Sequence, residues 1–251
     1  MHPDWLSNAY LVADEPGGEG VLIDSGAPPE ALLATIERQR LTVRHLLLTH
    51  HHYDHVDANA LYRERLGVDI LAHPFEAEHL LGDVDRAIEP GEVLEVGGLR
   101  IDALHTPGHT AGSLAYRVGD GDVFTGDTLF KGTVGGLSQP GATTFDDLKA
   151  SIMDVLMKLP AQTSLHPGHS EPSTVTAEWG QNAFIRVWRG LDPPGEEPCR
   201  VAGEDAVLVL WAPDYDGGQK AWVRWSETGR DDIVAGSRVE RERGSTLPSR
   251  R

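Results

Sequence analysis

Short apolar segments alternate with amphipathic segments up to about residue 190 of the chain. Residues 9–14 and 20–24 are rich in β-forming residues on either side of a Pro-Gly-Gly turn, and this pattern predicts a hairpin. Residues 45–49 form an apolar run that predicts a buried strand, and apolar residues recur at helical spacing after the Pro-Pro pair at 28–29. Further strands are predicted at 69–72, 92–96, 99–104, 113–118, 122–125 and 163–166, and further helices at 57–66, 76–81 and 144–159.

The pattern changes towards the C-terminus. Residues 190–204 are rich in Pro and Gly, which predicts a linker after a metal-binding domain of residues 1–189. Residues 205–251 are expected to form a small β-rich appendage and tail, with strands at 206–211, 219–225 and 231–237. Three strands are too few for independent stability, so we expect the appendage to dock on the main domain. The docking contacts are expected from Trp211, Trp222 and Trp225.

The composition restricts the function. The 251 residues carry a formal net charge of −17. This charge disfavours nucleic acid and membrane surfaces as partners, because both are bound through clustered Lys and Arg. No apolar run approaches the roughly 20 residues that span a bilayer, and the first eight residues lack the pattern of a secretory signal. Cys199 is the only cysteine, so no intrachain disulfide can form, and we expect a cytoplasmic protein.

Histidine is unusually frequent, with 12 residues, and much of it is clustered. Residues 50–55 read His-His-His-Tyr-Asp-His and directly follow the predicted strand at 45–49. A strand end followed by a loop can direct such side chains into one cavity at a sheet edge. Imidazole nitrogens and a carboxylate are ligands that Zn²⁺ and Fe²⁺ bind. The segment therefore predicts a metal site.

Three more ligand-type residues follow predicted strands in the same manner. His109 lies in Thr-Pro-Gly-His-Thr, Asp127 follows Thr-Gly, and His169 ends the sequence His-Pro-Gly-His. Each combines an apolar strand, a glycine turn and a potential metal ligand. Four such strand ends favour one shared metal centre over a solvated histidine-rich turn.

The motifs His-x-His-x-Asp-His (50–55), TPGHT (106–110), GDTLF (126–130) and PGH (167–169) together resemble those of the metallo-β-lactamase-fold hydrolases. The similarity extends over roughly residues 5–188 and is greatest to the glyoxalase II-like and persulfide dioxygenase-like branch. The resemblance implies an α/β fold, namely an αβ/βα four-layer sandwich with the metal site at one edge of its two sheets.

The resemblance also implies a ligand set for two metal ions. The first ion would be held by His50, His52 and His109, the second by Asp54, His55 and His169, and Asp127 would bridge them. We expect two zinc ions per chain, with iron or a mixed zinc–iron pair as the alternative. Two ions roughly 3.5–4 Å apart can share a hydroxide, because they lower the pKa of the bound water to about 7. Asp127, by bridging, and Asp54, by orienting this nucleophile, are the predicted catalytic carboxylates.

Differences within the family favour a thioester as the substrate. β-Lactamases of this fold lack the bridging aspartate that is present here as Asp127, and the related lactonases carry a tyrosine where Phe130 stands. The chain departs from glyoxalase II in having Gly136 in place of a basic residue and a β-rich end in place of a helical domain. We expect a metallo-hydrolase resembling glyoxalase II that acts on a small-molecule thioester or ester.

Three alternatives stay open at this point. The first is a mononuclear Fe(II) persulfide dioxygenase that uses His50, His52 and His109. The second is a lactonase or other ester hydrolase, and the third is a non-catalytic binding module stabilised by metal. Seven ligands for two metals leave room for water, which favours catalysis over a closed structural site. The β-rich end is also compatible with contacts in a homodimer.

Four further residues are expected near the metals. Lys131 could replace part of the missing positive charge, since its ammonium is a flexible point charge. Phe130 and Tyr53 are expected to line the substrate pocket. Asp24 follows a strand and is expected to support a metal-binding histidine. His51 interrupts the ligand pattern and is expected to point away from the metals.

Overall fold

The structure is a computed structural model that describes residues 6–241. Its strands are β1 (Tyr10–Ala13), β2 (Glu19–Ile23), β3 (Thr42–Leu47), β4 (Asp69–Ala72), β5 (Arg86–Ala87), β6 (Val93–Val96), β7 (Leu99–His105), β8 (Leu114–Val118), β9 (Asp122–Gly126), β10 (Leu129–Phe130), β11 (Thr133–Val134), β12 (Ser164–Pro167), β13 (Ser173–Thr174), β14 (Glu197–Val201), β15 (Glu204–Pro213), β16 (Gln219–Trp225), β17 (Asp231–Ala235) and β18 (Val239–Arg241). Its helices are α1 (Glu30–Gln39), α2 (Tyr53–Val56), α3 (Asn59–Leu66), α4 (Pro74–His79), α5 (Phe145–Ala150), α6 (Val175–Gln181) and α7 (Ala183–Trp188). Among these described helices, none is long and apolar enough to cross a membrane.

Two sheets face each other across the central core. The first has the strand order β1-β2-β3-β4-β5, and the second has the order β13-β12-β9-β8-β7-β6. Strand β2 shows how its sequence produces this arrangement, because Val21 and Ile23 pack in the core shared by the two sheets, whereas Leu22 packs towards the outer helices. Side chains of a strand alternate between its faces, so a continuous apolar run buries both.

Helices cover the outer face of each sheet. Ile36 of α1 and Tyr62 of α3 share an apolar cluster with the first sheet. Leu148 of α5 and Phe184 of α7 share another with the second sheet. The result is a four-layer αβ/βα sandwich followed by a β-rich C-terminal part, so the predicted fold class is confirmed.

The C-terminal part forms a third sheet with the strand order β17-β16-β15-β14-β18. One face of this sheet joins the core on the outer side of the second sheet, where Trp222 and Ile233 cluster with Phe145 of α5. The opposite face has its own apolar cluster, against which Trp211 and Trp225 pack. Docking therefore occurs as expected, but only Trp222 of the three expected tryptophans contributes to the shared core.

The linker predicted over residues 190–204 is wrong for Glu197–Val201, which form β14. Proline is uncommon in the interior of a strand because it has no N–H to donate a hydrogen bond to the neighbouring strand. Here β18 pairs only with residues 199–201, so Pro198 lies at an edge where no such bond is lost. Cys199 and Val201 are buried in the sheet. The domain boundary at residue 189 stays a prediction, and residues 1–5 and 242–251 lie outside the described residues.

The helix predicted over 144–159 is present but changes its winding. It begins as expected, since the Thr144 hydroxyl accepts a hydrogen bond from the backbone of Asp147 in a reciprocal capping arrangement. After α5 the chain continues as a π-helical turn, Ser151–Val155, and a 3₁₀ turn, Leu156–Lys158. Apolar spacing alone does not distinguish these windings.

We expect Trp222→Ala to lower the free energy of unfolding by about 3–5 kcal/mol, the usual cost of truncating a buried aromatic residue. The side chain is 6% exposed, and its ring lies 4.9 Å from that of Phe145. Urea unfolding measures the change. Trp179→Ala is the matched control, because Trp179 is 38% exposed. Equal effects of the two substitutions would show that the third sheet does not dock through Trp222.

Candidate metal centre

The ligand-type residues lie in four loops, each of which follows a strand. Residues 50–55 follow β3, and His109, Asp127 and His169 follow β7, β9 and β12. In the second sheet β9 and β12 are parallel, and β7 runs the same way because β7 and β9 are both antiparallel to β8. These three loops therefore leave one edge of the sheet, where they meet the loop after β3. All seven predicted ligands come together there, in the clusters His50–His52–His109, His50–His55–Asp127 and Asp54–His55–His169.

The first cluster consists of three histidines whose inner nitrogens converge. His109 Nε2 lies 2.9 Å from His52 Nδ1, and His50 Nε2 is buried without a hydrogen-bond partner. The outer nitrogens of His52 and His109 face the carbonyl oxygens of Pro140 and Gly136 at 3.0 and 2.8 Å. A carbonyl only accepts, so each outer nitrogen carries the proton and each inner nitrogen presents a lone pair. Converging lone pairs form a donor set for a cation.

The second cluster consists of Asp54, His55 and His169. The Nε2 atoms of His55 and His169 lie 3.4 Å apart, and Asp54 Oδ2 lies 3.5 and 3.3 Å from them. This set combines imidazole with carboxylate, the donors that Zn²⁺ and Fe²⁺ accept. Side-chain exposure differs within the set, since Asp54 is 25% exposed whereas the two histidines are buried.

Asp127 borders both clusters. Its Oδ1 lies 3.3 Å from His55 Nε2, and its Oδ2 lies 3.3 Å from His169 Nε2 and 3.6 Å from His109 Nε2. One carboxylate thus faces nitrogens of the first and the second cluster. This is the placement that a bridging ligand requires.

Asp24 lies beside both clusters. Its carboxylate accepts hydrogen bonds from the backbone and the hydroxyl of Thr49, each at 2.8 Å, and contacts His55 Nδ1 at 3.0 Å. The Thr49 hydroxyl donates its hydrogen bond to Asp24 and lies 3.0 Å from His50 Nδ1. It therefore accepts a hydrogen bond from His50 Nδ1. Asp24 therefore orients His55 directly and His50 through Thr49.

Electrostatics separates the two clusters. Burial lowers the pKa of His50 well below its usual value and lowers the pKa of His109 to about 4, so these rings are neutral at neutral pH. Burial also opposes protonation of His169, but the Asp127 carboxylate outweighs it and raises the pKa of His169 to about 9. Despite its own burial, Asp127 has a pKa well below its usual range because His169 and His55 stabilise its charge. The carboxylate is therefore charged.

The arrangement fits the two-ion ligand set. The neutral imidazoles of the first cluster with their inward lone pairs, the orphaned buried Nε2 of His50 and a carboxylate that faces both clusters are donors suited to divalent cations. Glycine at position 168 is required for this approach, because a Cβ there would lie 2.2 Å from Asp127 Oδ1 and 2.7 Å from the His55 ring.

The three side chains predicted to contact the substrate lie in different environments. Phe130 is buried, with its ring centroid 5.7 Å from that of His169. Lys131 instead pairs with Glu171 at 2.6 Å on the exposed surface. Tyr53 is 62% exposed. Of the three, Phe130 is therefore the side chain that the structure brings against a candidate ligand.

Glu76 is a buried residue that the sequence analysis missed. One of its oxygens contacts the backbone N–H and the ring of His51, and the other accepts from the Thr110 hydroxyl and the Gly112 backbone, each at 2.8 Å. His51 is thereby turned towards Glu76, and its ring stacks on that of His79. Glu76 joins the loop carrying His50 and His52 to the loop carrying His109.

Tyr215 is the second missed residue. It lies in the turn between β15 and β16, and its ring stacks on the His169 ring with centroids 4.4 Å apart and planes 12° apart. The Asp and Gly residues of this segment are typical of a turn, but a turn sequence carries no signal for what its tip contacts.

The fold and this set of candidate ligands are typical of metal-dependent hydrolases. A sequence profile of the metallo-β-lactamase superfamily matches residues 2–171, and the chain belongs to that superfamily. Among curated relatives, an uncharacterized protein of Mycobacterium tuberculosis is 32% identical over 208 residues, which cover 71% of this chain and 92% of the relative. A hydroxyacylglutathione hydrolase of Mesorhizobium japonicum is 39% identical over 162 residues, which cover 63% of this chain and 60% of the relative.

Solved structures show the same relationship. TTHA1623 in a di-iron-bound form is 36% identical, with a TM-score of 0.63, and the match covers 73% of this chain and 98% of that one. ETHE1 from Myxococcus xanthus is 28% identical, with a TM-score of 0.65 and coverages of 75% and 88%. BLEG-1 B3 metallo-β-lactamase is 27% identical, with a TM-score of 0.66 and coverages of 73% and 96%. The branch predicted from the motifs is confirmed.

We expect Glu76→Gln to weaken metal binding by roughly 10–100-fold, the usual effect of losing a group that orients metal ligands. The amide keeps the size of the side chain but replaces one acceptor oxygen with a donor, so one of the two loops loses its hydrogen bonds. Competition with a chromogenic chelator measures the affinity. Glu78→Gln, an exposed change on the same helix, is the control. Equal metal affinities for the two variants would show that Glu76 does not support the centre by joining the two ligand loops.

Proposed function

We propose that this chain hydrolyses small-molecule thioesters with a binuclear metal centre. The observation that carries the proposal is the position of Asp127 between the three-histidine cluster and the Asp54–His55–His169 cluster. A mononuclear centre would need only the first cluster. The similarity to a hydroxyacylglutathione hydrolase supports a thioester as the substrate.

In this proposal His50, His52 and His109 would hold one ion, and Asp54, His55 and His169 would hold the other. Asp127, which faces both groups, would be shared between them. Zinc fits the donors of both clusters, while the di-iron form of TTHA1623 makes iron or a mixed pair the alternative. When bound, two such ions would supply a nucleophile at neutral pH and stabilise negative charge that develops on a carbonyl oxygen.

The protein's own groups complete the reaction. The carbonyls of Pro140 and Gly136 hold His52 and His109 in the tautomers that keep their inner nitrogens free. Asp54 is the partly exposed carboxylate of the site, so we assign it to orient the attacking water and accept its proton. Addition of the water oxygen to the thioester carbonyl carbon forms a carbon–oxygen bond, after which the carbon–sulfur bond breaks. The proton accepted by Asp54 passes to the departing sulfur, so the products are a carboxylic acid and a thiol.

We expect Asp127→Asn to lower kcat/KM for thioester hydrolysis at least about a hundredfold, which corresponds to about 2.7 kcal/mol of barrier. The amide keeps the shape but removes the charge that two cations share, so the metal content should also fall from about two ions per chain towards one. Thiol release and elemental analysis of the same preparations measure both quantities. Asp120→Asn is the control, because Asp120 is 99% exposed. Wild-type activity and two ions in Asp127→Asn would contradict the proposed mechanism.

A persulfide dioxygenase is the second candidate, favoured by the separate three-histidine cluster and by the similarity to ETHE1. It would bind one iron per chain and consume oxygen when given a persulfide. Elemental analysis after expression with both zinc and iron distinguishes the two candidates. About two ions per chain together with thiol release supports the thioesterase, whereas one iron with oxygen uptake supports the dioxygenase.

A further inference from the structure

The third sheet reaches the metal centre through its β15–β16 turn. The Tyr215 ring stacks on His169, and the Phe130 ring lies 4.9 Å from the Tyr215 ring and 5.7 Å from the His169 ring. Phe130 and Tyr215 therefore form an aromatic wall beside the second metal cluster. Phe130 belongs to the main domain, but Tyr215 lies beyond residue 171, where the superfamily profile ends.

The aromatic wall is fixed in place by a buried ion pair. Lys220 is 5% exposed, and its ammonium lies 3.1 Å from Asp214 and donates to the Val134 carbonyl at 2.9 Å. The same ammonium lies 5.3 and 5.4 Å from the ring centres of Phe130 and Tyr215. The Tyr215 backbone N–H also donates to Asp214 at 2.9 Å. The turn is thus held at both of its ends and cannot leave His169 without breaking buried contacts.

The cations next to the wall are already neutralised. Lys220 pairs with Asp214, and Lys131 pairs with Glu171. Because Phe130 is 2% exposed whereas Tyr215 is half-buried, Tyr215 supplies the accessible aromatic surface of the wall and Phe130 backs it. Aromatic rings of this kind favour apolar groups, which pack against them and leave water.

We propose that the third sheet completes the substrate site, and that Tyr215 of the aromatic wall, backed by the buried Phe130, binds an apolar, uncharged acyl group. This inference rests on the proposed thioesterase function and specifies its substrate class. The acyl group is bonded directly to the carbonyl carbon, which in the proposed reaction lies at the centre to which His169 belongs. A group extending from that carbon on the His169 side meets the wall.

The test compares acetyl and phenylacetyl thioesters of N-acetylcysteamine, together with an acyl thioester of glutathione. The wild-type protein is expected to favour the phenylacetyl substrate. Tyr215→Ala should lower kcat/KM for the phenylacetyl substrate about tenfold more than kcat/KM for the acetyl substrate, mainly through KM. Tyr215→Phe should retain the preference, because it keeps the ring. Trp211→Leu, on the opposite face of the same sheet, is the matched control.

Binding of phenylacetate to the metal-loaded protein, followed by calorimetry, provides a readout that does not depend on turnover. Its Kd should rise about tenfold in Tyr215→Ala and stay unchanged in Trp211→Leu. Metal content is measured for each variant. If Tyr215→Ala retains less metal than the wild type, Tyr215→Gln replaces it, because Gln keeps much of the volume but is polar, and the same loss is expected.

The possible outcomes separate this inference from the function on which it rests. If the wild type hydrolyses no thioester but Tyr215→Ala weakens phenylacetate binding, the thioesterase proposal is wrong, whereas binding of an apolar group by the aromatic wall is supported. If the wild type hydrolyses thioesters but prefers the acetyl or glutathione substrate, binding of an apolar acyl group by the aromatic wall is refuted, whereas the thioesterase function is supported. If Tyr215→Ala lowers kcat/KM equally for all substrates and leaves the Kd for phenylacetate unchanged, binding of an apolar acyl group by the aromatic wall is also refuted.

Discussion

The buried carboxylate of Asp24 is the contact on which the geometry of the centre depends. It accepts both the backbone N–H and the hydroxyl of Thr49 and contacts His55 Nδ1. Because the Thr49 hydroxyl then accepts from His50 Nδ1, one carboxylate determines which nitrogen is free on a histidine of each cluster. A buried charge is costly unless it is fully hydrogen-bonded, and these contacts offset that cost. The same bonds tie the end of β2 to the loop after β3, so the sandwich and the centre are fixed together.

The sequence was sufficient to predict that the candidate ligands lie together, because each follows a strand within a few residues. His50 and His109 illustrate this, since the strand before each is apolar and the fold brings the ends of such strands to one edge. The four-layer sandwich was predicted from the same motifs through their resemblance to a known family. The helix start at Thr144 was predictable for a local reason, namely a capping pair three residues apart.

Other features depend on contacts between distant parts of the chain, which local patterns do not encode. Glu76 is separated by 34 residues from Thr110, and its helix carries no sign that it will be buried between two ligand loops. Tyr215 reaches His169 only because the third sheet docks through Trp222 and Ile233. Strand β14 was missed because the proline and glycine content of its surroundings outweighed the alternation of Cys199 and Val201.

The candidate ligands and the aromatic ring packed beside them come from different parts of the chain. The candidate ligands up to His169 all lie within residues 2–171, the range of the superfamily profile. The ring stacked on His169 comes from outside that range. A change in the third sheet can therefore alter what packs beside the centre while the ligand loops, which are held by Asp24 and Glu76, keep their geometry. Since the sheet also buries Trp222 in the shared core, the contact that shapes the site is coupled to the stability of the whole domain.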